Sequence, residues 1–176
     1  MTLRGILALS LLAAPSFAQE KEKGDPLAGN PGINNYYRVR PDVATAGQPN
    51  DQALADIQKA GFKSVINLRT EQEGSLEEKP KVEALGLEYH NIPIGSDGIS
   101  KEQVALFEKI LGDSANRPVF IHCASSNRVG AMWFIHQVLG EGMDEASALE
   151  EAKKAGLKPS LEGTAREFVE KNRAPK

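Results

Sequence analysis

Four short runs, each rich in β-branched or aromatic residues, recur along this chain, and stretches with helical spacing separate them. The runs are Tyr36–Val39, Lys63–Leu68, Leu87–Ile94 and Arg117–His122. Runs of this length and content read as strands. Asn50 is placed to cap a helix that puts Leu54 and Ile57 on one face and runs to Ala60, where Gly61 ends it. "TAGQPN" before it reads as a turn. "SLEEKPKVEALG" reads as a short helix, broken or begun at Pro80 and ended at Gly86. Ser100 and Gln103 have capping-box spacing and open a helix with Val104, Phe107, Ile110 and Leu111 on one stripe. "RVGAMWFIHQVLG" is apolar nearly all round, as a buried helix is. Two amphipathic segments close the chain, with Asp144 and Ser160 as their expected caps. Strands separated by helices imply an α/β fold: a mainly parallel central sheet of four to five strands with helices on both faces. Ligands of such sheets bind beyond the C-terminal strand ends. The loops after Leu68, Ile94 and His122 fall there, which brings Arg69, Asp97 and the residues after His122 to one edge.

The length fits one domain, and the first residues are set apart from it. Arg4, the apolar run Gly5–Ala14 and the small residues Ser16 and Ala18 form a secretory signal with expected cleavage after Ala18. The apolar run is too short to span a bilayer. Residues 19–34 are rich in charge, glycine and proline and read as a flexible leader, leaving 35–176 as the folded domain. The expected location is the periplasm or the extracellular space, with no membrane anchor after cleavage. Loss of Arg4 moves the formal charge from −3 to −4. Without a basic cluster, no nucleic-acid partner is expected.

The single cysteine, Cys123, follows His122 directly, and Arg128 comes after it with four residues between the two, in "PVFIHCASSNRVGAMWF". A lone cysteine makes no intramolecular disulfide, and one cysteine with three scattered histidines lacks zinc-ligand spacing, so no metal is expected. A strand, a short polar loop and a helix present unpaired backbone N–H groups and the positive end of the helix dipole. Such a loop wraps a tetrahedral anion and favours a thiolate at its root. Arg128 offers a planar fork of donors for phosphate-like oxygens, Ser125 and Ser126 offer hydroxyls, and His122 is placed to orient the loop through backbone contacts. The competing reading is a packing cysteine before a buried helix with a surface arginine.

"VFIHCASSNR" and its helix resemble the signature loop of cysteine-dependent tyrosine and dual-specificity phosphatases. "GQP", "GFKSVINLR", "YHNIPI" and "HC" occur in the order found in a bacterial branch that includes the phosphatase-like domain of beta-lactamase-hydrolase-like proteins. The resemblance covers about Tyr36 to Glu170. It implies a tyrosine-phosphatase-like fold and attack by a thiolate on a phosphomonoester, small molecule or phosphoprotein, with a phosphocysteine intermediate and no cofactor or metal. Carried over, Cys123 is the nucleophile, Arg128 the phosphate clamp, and the backbone of Ala124, Ser125, Ser126 and Asn127 the cradle. Asp97, after the "IPI" strand, takes the place of the general acid, and its bland reading is a solvated turn residue. Glu102 is the alternative acid. Arg69 either contacts substrate or pairs with Glu71 or Glu73.

The loop departs from the family pattern. Four residues rather than five separate Cys123 and Arg128, no glycine lies among them, and Val129 stands where a hydroxyl residue is usual. Ser126 or Asn127 must therefore supply any left-handed backbone, a conformation asparagine adopts more readily. Two other functions fit the same strand–loop–helix unit: a non-catalytic phosphate or phosphopeptide binder, and a rhodanese-type sulfurtransferase. The two helices after the loop argue against the last.

Overall fold

The computed structural model describes residues 24–173. Five strands form one sheet: β1 Tyr37–Arg40, β2 Val43–Ala46, β3 Ser64–Asn67, β4 Glu88–Asn91 and β5 Val119–His122. Their order is β1-β2-β5-β3-β4. β1 pairs antiparallel with β2 at one edge, and the other neighbours are parallel. The helices are α1 Asp51–Lys59, α2 Ser75–Ala84, α3 Lys101–Gly112, α4 Asn127–Ile135, α5 Glu145–Lys154 and α6 Pro159–Asn172, with a π-helical turn over His136–Gly140 after α4.

Alternation along the central strands divides the core. Val65 and Phe120 face α1 and α2, packing with Leu54, Ile57 and Val82. Ile66 and Ile121 face α3 and α4, packing with Phe107, Leu111, Met132 and Trp133. Both sheet faces are covered, which is why the strands read as continuous apolar runs. α5 and α6 close over the outer side of α4, so every residue from Val129 to Ile135 is buried. The parallel register aligns Ala46, His122, Asn67 and Asn91 across the sheet. The chain leaves β3 for β4 on one side and returns to β5 on the other, opening a crevice at the ends of β3 and β5.

Local signals hold at most helix starts. Asn50 Oδ1 accepts from Ala53 N at 2.8 Å, and Ser100 and Gln103 form their capping box. Four expectations are corrected. β2 is not among the expected strands, and its Thr45 and Ala46 fall in the expected turn; it consists of Val, Ala, Thr and Ala, and ladders on both sides hold it rather than side-chain propensity. Pro80 does not break α2: the carbonyl it leaves free belongs to Leu76, whose residue is 56% exposed. Ser160 does not cap α6, which starts at Pro159.

The fourth correction concerns the leader. Its described part, residues 24–34, is packed against the domain. Leu27 is 1% exposed among Leu54, Ile57 and Phe62, and Ile33 bridges to Pro49. The Asp25 carboxylate takes hydrogen bonds from Arg38 Nε and Nη2 at 3.0 Å each and from the Tyr36 hydroxyl at 2.6 Å. The signal segment and residues 19–23 lie outside the described residues. Leu27→Ala is expected to lower the free energy of unfolding by about 2–5 kcal/mol, the usual cost of emptying a leucine site. Urea unfolding checks this; an unchanged midpoint would mean that the segment is not part of the core.

Candidate active site

His122 ends β5, and Cys123 begins a loop that enters α4 at Asn127. Cys123 is 1% exposed, and its N–H reaches the Ala46 carbonyl at 3.4 Å. The loop turns through Ser126, whose φ of +67° lies in the left-handed region. The first-turn N–H groups of Asn127, Arg128 and Val129 have no intrahelical acceptor. Among the described residues, those of Ala124 and Ser125 find none either. This is a row of N–H donors suited to an anion.

Arg128 ties the neighbouring loops to this row. Its Nη1 donates to Glu73 Oε2 at 2.7 Å, to the Ile94 carbonyl at 2.9 Å and to the Leu68 carbonyl at 3.3 Å, and Nη2 donates to Glu73 Oε1 at 2.6 Å. Glu73 closes a 3-10 turn, Glu71–Glu73, and its Oε2 also takes the N–H and hydroxyl of Thr70. The Arg128 pair holds the Glu73 carboxyl down at about 2, against partial burial. The same pair raises Arg128, with the Cys123 side chain adding to the effect. Above the loop is a cavity of about 530 Å³. Ser125, Asn127 and Arg128 form its floor, Ile94, Gly95, Ser96, Gly98 and Ile99 one wall, and Ser160, Leu161 and Thr164 of α6 another.

A family model described as "DSP-PTPase phosphatase fused to NAD+ Kinase" matches residues 34–169. The chain belongs to this family of cysteine-dependent phosphatases. It is 31% identical over 112 residues to a beta-lactamase hydrolase-like protein of Agrobacterium fabrum, covering 61% of this chain and a quarter of that relative's length. It is 25% identical over 163 residues to the dual specificity protein phosphatase TpbA of Pseudomonas aeruginosa, covering 89% of this chain and 72% of TpbA. The crystal structure of P. aeruginosa TpbA superposes with a TM-score of 0.63 at 20% identity, over 81% of this chain and 91% of that one. The core catalytic domain of the PP-IP phosphatase SIW14 from S. cerevisiae superposes at 0.67 and 18% identity, over 78% and 84% of the two chains. The rhodanese reading is set aside by the family match.

Several expected site residues sit elsewhere than the sequence suggested. Ser126 is fully buried and donates its hydroxyl to the Ala155 carbonyl at 2.6 Å, away from the cavity. Ser126 rather than Asn127 takes the left-handed turn. Asn127 accepts from Lys158 N at 2.7 Å and donates to Ser160 Oγ at 3.0 Å. Ala124 is exposed, and the Ser125 carbonyl accepts from Asn35. Asp97 is exposed and outside the cavity lining, between Ser96 and Gly98, which do line it; its carboxylate accepts from Ser96 Oγ at 3.4 Å. Glu102 is on the first turn of α3 and is also outside the lining.

Arg69 faces a second hollow, with Gln48, Glu77 and Lys81. Its guanidinium meets Gln48 Oε1 at 2.5 Å and Glu78 Oε2 at 3.4 Å, so its carboxylate partner is Glu78 and not Glu71 or Glu73. His122 is fully buried. Its carbonyl accepts from Leu68 N at 2.9 Å, and its ring Nε2 meets Glu78 Oε1 at 2.7 Å. Asn67 and Gln48 donate to the same carboxylate. Burial pushes the Glu78 carboxyl up, and His122, Gln48 and Arg69 outweigh it, leaving it lowered. Glu73 had been considered only as a partner of Arg69, and Glu78 carried no signal beyond lying in an acidic helix start. Among the described residues no group of three or more His, Cys, Asp or Glu is placed to hold a metal ion, and no helix is long and apolar enough to cross a membrane.

The Glu73–Arg128 pair has a pH signature. A carboxyl held at about 2 in the folded protein, against an ordinary 4.5, contributes stability in full above pH 4.5 and loses it as the pH falls towards 2. Wild type is therefore expected to melt above Glu73→Gln at pH 6, with the gap narrowing below pH 4.5. Melting temperatures of both proteins across this range provide the check, and a pH-independent gap contradicts the pairing.

Proposed function

We propose that this phosphatase hydrolyses phosphomonoesters through a cysteinyl-phosphate on Cys123, after export from the cytoplasm. The carrying observation is the row of free N–H groups at the start of α4, with Cys123 at its root and Arg128 beside it. Three anionic phosphoryl oxygens would take those N–H groups and the Nε edge of Arg128, while Glu73 holds the opposite edge. The Cys123 thiolate attacks phosphorus, and the ester P–O bond breaks as the leaving oxygen takes a proton from Asp97. Gly95 and Gly98 flank that aspartate and would let the wall segment bring it inward. Water then attacks phosphorus, its proton passes to the Asp97 carboxylate, and the P–S bond breaks to release inorganic phosphate and thiolate.

The cavity favours one phosphoryl group on an apolar or aryl body. Arg128 is the one cationic side chain among the described lining residues, and Ile94, Ile99 and Leu161 supply apolar surface. A polyphosphorylated substrate needs more positive charge than this. Phosphotyrosine fits, and a crystal structure of TpbA is a complex with that group. A second reading, phosphate binding without turnover, draws support from the covered thiol and the outward Asp97.

Cys123→Ser is expected to abolish hydrolysis of p-nitrophenyl phosphate, and chelators to leave the wild-type rate unchanged. Asp97→Asn should slow an alkyl phosphate by about 10²–10⁴-fold and p-nitrophenyl phosphate far less, because nitrophenolate leaves without a proton. Equal losses on both substrates argue against Asp97 as the acid, and vanadate binding without any turnover supports the binding module. For export, the mature protein is expected to begin at Gln19 in the cell-envelope or culture fraction. Mass spectrometry tests this; retention of residues 1–18 in the cytosol rules the idea out.

A further inference from the structure

We propose that Ser126 and Gly156 are positioning residues for the anion loop: the connection between α5 and α6, not a loop glycine, sets the loop's left-handed turn. The inference rests on the reading of Cys123–Arg128 as the phosphoryl cradle. A side chain at φ +67° is disfavoured unless something holds it there. Here the hold is external and comes from about thirty residues further along the chain. Ser126 Oγ donates to the Ala155 carbonyl at 2.6 Å, fixing the turn from below. Gly156, at φ +103°, leaves the space that Ser126 fills: a Cβ on it would lie 2.5 Å from Ser126 Cβ and 2.8 Å from its hydroxyl. Gly130 on α4 allows the same approach, since its Cβ would meet Leu157 N at 2.3 Å. Asn127 then clasps the far end of the connection through Lys158 N and Ser160 Oγ. Ser126, the adjoining first residue of α4, Asn127, and Gly130 further along α4 thus dock on Ala155–Ser160. Ser126 spends its hydroxyl on this docking and offers none to substrate. The N–H groups on either side of it point as they do because of that contact.

The test measures orthovanadate binding by calorimetry, where the stoichiometry reports the folded fraction and Kd reports the loop's shape. Gly156→Ala is expected to weaken vanadate at least tenfold at near-unit stoichiometry. The double variant Ser126→Gly with Gly156→Ala should recover most of that loss, because glycine at 126 frees the space and adopts the turn without a side chain. Both variants place alanine at φ +103°, so both should melt lower than wild type; recovery of Kd without recovery of melting temperature separates positioning from general stability. The proposal is overturned if Gly156→Ala binds within twofold of wild type, or if the double variant binds no better than Gly156→Ala. Should Gly156→Ala not fold, Ser126→Ala decides: about fivefold weaker vanadate supports the docking role, and unchanged Kd overturns it. Failure of wild type itself to bind vanadate removes the cradle reading and this inference together, an outcome distinct from the others.

Discussion

The Arg128 guanidinium is the point at which three strand-end loops become one site. Its contacts with Glu73, Leu68 and Ile94 join the segments after β3 and β4 to the helix after β5. Each contact needs a different partner, so the site exists only when all three loops are in place. The pair with Glu73 also orients the planar fork. It satisfies the Nη edge with a carboxylate that stays ionised down to about pH 2 and leaves the Nε edge for other oxygens.

Behind this pair lies a second, drier group of charges. Glu78 comes from α2, His122 from β5, Asn67 from β3, and Arg69 and Gln48 from the adjoining loops. A carboxylate this buried is tolerated only when several donors meet it, and removing one partner from such a cluster costs more than the pair itself contributes. The cluster fixes the C-terminal ends of β3 and β5 against α2, just below the cysteine. The unpaired N–H donors of the Cys123 loop and the donors that serve the fold are thereby kept apart.

Much of the architecture was legible because local rules and burial agreed. The apolar runs at Lys63–Leu68 and Arg117–His122 lie at the centre of the sheet, where both faces are covered. The cap at Asn50 and the box at Ser100 and Gln103 are satisfied within a few residues of chain. Where the reading failed, the deciding contacts were distant. Ala44 and Ala46 make a strand because β1 and β5 flank them. Leu27 is core because α1 and Phe62 receive it, although its neighbours in sequence are those of a linker.

By itself the sequence determined the chain order of the helices and of four of the five strands, the strand–loop–helix unit holding Cys123 and Arg128, and the family resemblance, since these depend on spacing and residue type alone. Tertiary structure decided the charge partners. Glu73 belongs to Arg128 and Glu78 to Arg69, because the crossover from β3 places the 3-10 turn over the cavity and the first turns of α2 over the second hollow. It also decided which loop residue takes the left-handed turn. Intrinsic preference favoured asparagine, but the Ala155 carbonyl and the space left by Gly156 lie beside Ser126, and a contact across the fold outweighed a local preference.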